Sequence, residues 1–411
     1  MQPNSFLFYI YCTAIFSIFL PVTVYPIFFL IFSFFNIIIM ISIKRKVISR
    51  KLLSLTILLC VFFFMSSISF FLNLEVSDSV QYLKILINFI FLINVAYYIN
   101  YNTYVFLNKR IILQYLFELI IFLSFIQIII NVHIMNLWMM PFVGVKDSVM
   151  AYKIVEPMIL FGTTEKNIWA TKIAFIQIIY FSFGYFRYFK VENIKVYLFW
   201  AISLFNLIYT FSRTAQLVFI LFIIMLVIWK IFYIYKNRVL KIFSIFLFIL
   251  ISVPMGILIY DKLFHITLGA GDGLASRLVL WQALYNHLDH MNIYIGNGIL
   301  YAEYLISTTT VMANNNFHNV FLNTFSDQGV IGLLLYILLL RMIFFTYKLD
   351  KKLRRFIVLV LFFPFFVCIN SQYLGYDNDI VIFFSLVLIL IKFLKFTSNE
   401  YQKHLNHNIN I

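Results

Sequence analysis

Three short segments of this sequence hold the residue types that manage an anion and a proton. Phe211-Ser212-Arg213-Thr214 joins two apolar runs, and an arginine at such a depth needs a reason, since cations are costly in hydrocarbon and are retained on the cytoplasmic side. Ser212 is a candidate N-cap for the run that follows. The free N–H groups and positive dipole end of that helix would lie beside the guanidinium, and with Thr214 the set suits a phosphate. An arginine that snorkels to the interface is the plainer alternative. The second segment runs from Gly273 through Arg277 and Trp281 to Leu284, and is followed by Gly296-Asn297-Gly298. Leu274, Leu278, Trp281, Leu284 and Leu288 recur at three- and four-residue steps, which predicts an amphipathic helix against the membrane or the bundle. Arg277, one turn before Trp281, either meets an anionic headgroup or lies solvated on the polar face.

The third segment is Asn314-Asn315-Asn316-Phe317-His318-Asn319, continuing through Asp327-Gln328-Gly329 to Gly332. The Asn run can cap a helix that begins near Phe317 and places His318 in its first turn, where the dipole would keep the imidazole neutral and able to accept a proton. A capping or packing histidine is the alternative, and Gly329 and Gly332 can serve close helix packing. His287 and His290 flank Asp289 but lack further ligands, so no metal site is expected. No phosphate-binding loop, dinucleotide fingerprint, HExxH or GxSxG motif occurs. Asp377 and Asp379 can bind cationic or hydroxyl groups or form a solvated turn.

The elements that must position these residues are membrane spans. Of 411 residues, 63% are hydrophobic and 11% charged, in repeated apolar runs long enough for a bilayer, which excludes a soluble fold. The expected fold is all-α and polytopic, a single membrane domain over 1–411. Pro21 and Pro26 divide the uncharged run 1–43 into two spans. Further spans are read at 52–72, 80–99, 111–131, 167–186, 196–211, 214–234, 242–260, 328–347, 356–370 and 380–396, about twelve in all. Two long connections follow, 132–166 and 261–327, the second a large loop between spans 9 and 10 with amphipathic helices.

The net charge of +15 lies in clusters between apolar runs, such as Lys44-Arg45-Lys46 and Lys351 to Arg355, so it reports topology and not nucleic acid. Those clusters are read as cytoplasmic with both termini, and the connections holding Asp78, Asp272, Asp289, Glu303 and Asp327 as outward. No cleavable signal peptide is visible, and the first span is expected to act as the signal. Cys12, Cys60 and Cys368 all lie in apolar runs and read as buried small hydrophobes.

Taken in order, the three segments resemble the bacterial O-antigen polymerase and O-antigen ligase superfamily over about 196–340. The family's Ser-Arg signature falls on Ser212-Arg213-Thr214, and its Arg, Trp and Gly-x-Gly segment on Arg277, Trp281, Gly296 and Gly298. Its His-Asn, acidic, Gly-x-x-Gly segment falls on His318, Asn319, Asp327, Gly329 and Gly332, with Asp327 where the family usually has Glu. The resemblance implies metal-independent, cofactor-free, inverting transfer of a glycan from undecaprenyl diphosphate to a sugar hydroxyl, at the outer face of a bacterial cytoplasmic (inner) membrane. Arg213 and Arg277 would serve the diphosphate and His318 would be the base. Ser212, Thr214, Trp281 and Asn319 are the expected substrate contacts.

The expected partners are the lipid-linked glycan, an acceptor glycan or lipid A core, and membrane lipid, with a chain-length regulator as a further candidate. The first expectation is a polymerase of O-antigen or capsular polysaccharide, and the second a ligase that builds lipopolysaccharide. A transporter or flippase is the rival from another class. It is disfavoured because the halves of the chain show no convincing repeat and charges within the spans are few.

Overall fold

The computed structural model describes residues 3–42, 49–139, 166–189, 192–210, 212–233, 242, 273–310, 316–345, 349–372 and 375–409. Among them the chain is helical and holds no strand. The uncharged N-terminal run forms α1 (Pro3–Ser17) and α2 (Tyr25–Ser42). Pro21 lies in the turn between them, its carbonyl accepting the Val24 N–H at 2.8 Å. Pro26 sits in the first turn of α2, where its missing N–H removes no helical bond.

The next helices are α3 (Arg50–Leu72), α4 (Ser79–Tyr101), the short α5 (Thr103–Asn108) and α6 (Arg110–Ile134). Ser49 caps α3 and Asp78 caps α4, each through side-chain oxygens that accept first-turn N–H groups. Then come α7 (Lys166–Tyr185), α8 (Asn193–Tyr209) and α9 (Arg213–Tyr233). The long connection holds α10 (Gly273–Asn286), a 3-10 turn (Leu288–His290) and α11 (Tyr301–Thr309). It leads into α12 (Val320–Phe345), and α13 (Lys351–Phe356) continues through a π-helical stretch into α14 (Phe363–Gln372). The last helix is α15 (Asn378–Ile409).

Eight helical stretches among the described residues are long and apolar enough to cross a membrane: α2, α3, α4, α6, α7, α9, α12 and the α13–α14 run. α1 and α8 are apolar but shorter, and α15 covers the last expected span. The expected span at 242–260 lies outside the described residues apart from Ile242, as does the first long connection over 140–165.

The helices pack as pairs that share partners, α2 on α1 and α4, α12 on α3, α7 on α6, α9 and α15, and α9 on α14. Aromatic rings knit them, as where Phe29 stacks on Phe91 at 3.8 Å between α2 and α4. Lipid offers no hydrophobic drive between spans, so such van der Waals packing holds the bundle while Phe34, Ile41 and Phe64 face outward. Cys12 and Cys368 are buried as expected, but Cys60 is exposed on α3 because it falls on the outward side of that helix. Asp379 is buried at the start of α15, which excludes a solvated turn there.

A second, smaller core lies within the long connection. Leu280 and Leu284 of α10 meet Met291, Tyr301, Ala302, Leu305, Ile306 and Phe317. The side of α10 that carries Leu280, Trp281 and Leu284 is covered by α11 and the His318 segment; Leu280 lies outside the expected stripe of Leu274, Leu278, Trp281, Leu284 and Leu288.

Candidate active site

His318 lies at the junction of that small core and the membrane bundle. Phe317 is fully buried in the core, and the chain turns at His318 with φ +53°, the left-handed region that costs an L-residue roughly 1–2 kcal/mol. Hydrogen bonds hold this turn from three side chains. The Asn323 carbonyl oxygen accepts the Phe317 N–H at 2.9 Å, the Trp281 indole N–H donates to the Phe317 carbonyl at 2.9 Å, and the Asn316 side chain accepts the His318 N–H at 2.7 Å. The helix that follows starts later than the sequence suggests. Asn319, not the preceding Asn run, is its cap, accepting the Phe321 and Leu322 N–H groups at 2.9 and 3.2 Å. His318 thus stands just before α12 and not in its first turn. The Asn319 side-chain oxygen is used in this cap.

The imidazole is half-buried, and its surroundings disfavour the charged form. Burial and then the nearby Arg277 guanidinium lower its pKa to about 4. The neutrality expected from a helix dipole therefore has a different origin. Arg277, itself half-buried on α10, is brought to His318 by Trp281 one turn later, whose indole grips the residue before the histidine.

The Gly-x-Gly and Asp-x-Gly segments form one joint. α12 is broken at Gly329 (φ 66°, ψ −167°), and the freed Val330 N–H donates to the Ile293 carbonyl at 2.8 Å. The Asn297 N–H donates to the Ser326 carbonyl at 3.0 Å. Gly296 lies so close that a Cβ there would be 2.3 Å from the Asp327 backbone, and a Cβ on Gly329 would be 2.3 Å from that of Tyr294. The buried Asp327 carboxylate accepts the Leu300 and Tyr301 N–H groups, both at 3.1 Å, and so caps α11 from a distance. Ser69 of α3 donates to the Asp327 carbonyl and accepts the Gly298 N–H, while Ser77 accepts the Ile299 N–H at 3.1 Å. Ser69 and Ser77 have no signature in the sequence, one hidden in an apolar run and the other in a turn.

Arg213 opens α9 on a different set of helices, packed against α7 and α14, and its side chain is exposed. Ser212 takes the position before the helix and its carbonyl accepts the Gln216 N–H at 3.0 Å. Among the described residues its hydroxyl makes no capping bond, and Ser212 Oγ is buried without a hydrogen-bond partner there. Thr214 is half-buried beside it, and Gln216 ties this end of α9 to the Leu207 and Ile208 carbonyls of α8. Hydrogen bonds and the charge of Arg277 join Arg277, Trp281, His318 and Asn323 in one constellation, and Ser212-Arg213-Thr214 stands at the start of α9. The His287 and His290 rings are 5.2 Å apart, and among the described residues no three His, Cys, Asp or Glu converge as metal ligands would.

Residues 198–337, about a third of the chain, match the family model described as O-antigen ligase. That segment runs from within α8 through the break in α12 and holds Arg213, Arg277, Trp281, His318 and Asn323, while Ser69 and Ser77 lie outside it. No curated protein matches the chain.

Proposed function

We propose that this chain, which carries the domain of the O-antigen polymerase and ligase superfamily at residues 198–337, is a polymerase. It joins lipid-diphosphate-linked oligosaccharide units into an O-antigen or capsular chain. The observation that carries the reading is the pairing of a neutral, half-buried His318 with Arg277, a proton acceptor beside an anion-binding cation.

In this reaction an acceptor sugar hydroxyl attacks the anomeric carbon of the donor, the bond to the lipid diphosphate breaks, and the configuration inverts. His318 takes the hydroxyl proton. The diphosphate leaves with an added negative charge, which Arg277 and Arg213 with the α9 N-terminus stabilise. Ser212 Oγ, buried at that N-terminus with no hydrogen-bond partner among the described residues, is a donor for the same anion. Arg277 also links the two events. Its charge opposes protonation of His318, so a diphosphate bound to Arg277 would cancel that charge and raise the basicity of the imidazole as the donor arrives. No step calls for a metal or a soluble cofactor.

This chemistry belongs on the outer face of the membrane, with residues 348–355 on the cytoplasmic side, as the distribution of Lys and Arg suggests. Single cysteines placed between 265 and 325 should be labelled from outside, and cysteines between 348 and 355 should be spared. External labelling of the latter would reverse the orientation and remove the site from its substrates.

The matched family is described as a ligase, which favours transfer of a finished glycan to lipid A core as the second reading. Polymerase is preferred because Lys262 and Arg277 are the only Lys and Arg residues between 261 and 327, too few for a phosphorylated core once Arg277 serves the donor. Deleting the gene separates the two. A polymerase deletion should leave single repeat units on the carrier or core, whereas long glycan on the lipid carrier with none on lipid A core would establish the ligase.

A further inference from the structure

We propose that Trp281 and Asn323 are positioning residues that set the place of His318, and that Trp281 acts on the reaction through His318 and not through the substrate. The inference rests on His318 as the base. Both polar groups of Phe317, the residue before the histidine, are bound by side chains, its N–H by Asn323 and its C=O by Trp281. The two clamps come from different elements, α10 and α12, so together they fix the junction relative to both.

Three observations show a position that is held and not merely occupied. His318 keeps a left-handed backbone that a non-glycine residue adopts only when its surroundings determine it. Phe317 is anchored at full burial in the small core. The Trp281 indole N–H is bound to the backbone, and the residue lies on the same helix as Arg277. The indole bond thereby fixes the distance between the cation and the base, the quantity on which the proposed reaction depends most steeply.

Trp281→Phe removes the single N–H and keeps an aromatic ring in the small core. In membrane vesicles supplied with lipid-linked glycan extracted from a strain deleted for the gene, this variant should lose about tenfold or more in kcat, the worth of one well-placed bond, with KM for the donor unchanged. Added to His318→Ala, it should cost nothing further, because the group it positions is gone.

A raised KM with kcat intact, or a full additional loss in the His318→Ala background, would overturn the proposal and make Trp281 a substrate contact. Asn323 gives an independent arm should Trp281→Phe fail to accumulate. Asn323→Asp keeps the acceptor oxygen and should retain most activity, Asn323→Leu should lose it, and equal loss in both would also overturn the clamp. Wild-type turnover by Trp281→Phe with His318→Ala inactive removes the clamp alone. Full activity of His318→Ala removes the base beneath it.

Discussion

Replacing His318 by alanine should lower glycan transfer by about 10²–10⁴-fold, the usual worth of a general base, while the protein still accumulates in the membrane. The side chain is half-buried and its loss opens no large cavity, because Phe317 and not His318 fills the small core. Arg277→Ala and Arg213→Ala should each cost on the order of 10²–10³-fold, as removal of a preorganised charge from a leaving group does. Arg213→Lys should recover only part, since an ammonium is a point charge without the planar fork of a guanidinium.

The pH dependence carries the same assignment. His318 must be neutral to accept a proton, so activity is lost as pH falls. With burial and Arg277 holding its pKa to about 4, kcat/KM, which reports the free enzyme, should stay level well below pH 6 and fall through that low value. In the donor complex the Arg277 charge is compensated, so the acid limb of kcat should lie at higher pH. Coincident limbs would dissociate Arg277 from the diphosphate, and full activity of His318→Ala would leave the histidine a packing residue.

How far this site was legible in the sequence differs from residue to residue, for physical reasons. Spans such as α3, α4 and α6 follow from uninterrupted apolar runs, which determine the fold in a solvent that cannot satisfy backbone groups. The start of α12 does not. Residues 320–328 are helical, yet Asn323, Asp327 and Gln328 are polar side chains that bond to other segments, and hydropathy places the boundary at 328. Arg277 and His318 are recognisable by type, but their proximity depends on an indole meeting a main-chain carbonyl 36 residues away, a contact that carries no local pattern. Asn319 is in the expected motif, and the cap its side-chain oxygen forms is one that the sequence assigns to the Asn run before it.

Gly329→Ala should strongly destabilise the fold, and it should act without touching a catalytic group. The residue occupies a conformation that is essentially glycine's alone and would cost an L-residue about 1–3 kcal/mol. The added Cβ would also stand 2.3 Å from the backbone carbonyl of Tyr294, and backbone cannot swing aside as a side chain can. Relief requires that the 292–299 loop lift from α12, which breaks the bond from Val330 to Ile293 and draws Asp327 away from the first turn of α11. Gly296→Ala meets the Asp327 and Gln328 backbone at 2.3 Å and should fail in the same way from the other side of the joint.

Gly184→Ala is the control. Nothing lies within 4 Å of the position in the last turn of α7, so alanine should be neutral or stabilise the helix by up to about 1 kcal/mol. The measurement is the thermal midpoint of the detergent-solubilised protein together with its accumulation in the membrane. The expected order is Gly184→Ala at or above wild type, His318→Ala near it, and both joint variants well below. Joint variants that fold normally yet lose transfer would instead show that the glycine segments contact substrate, as their place in the family pattern allows. Loss of accumulation ties those glycines to the backbone joint that carries Asp327 and, ten residues before the break, Asn319, the cap beside His318.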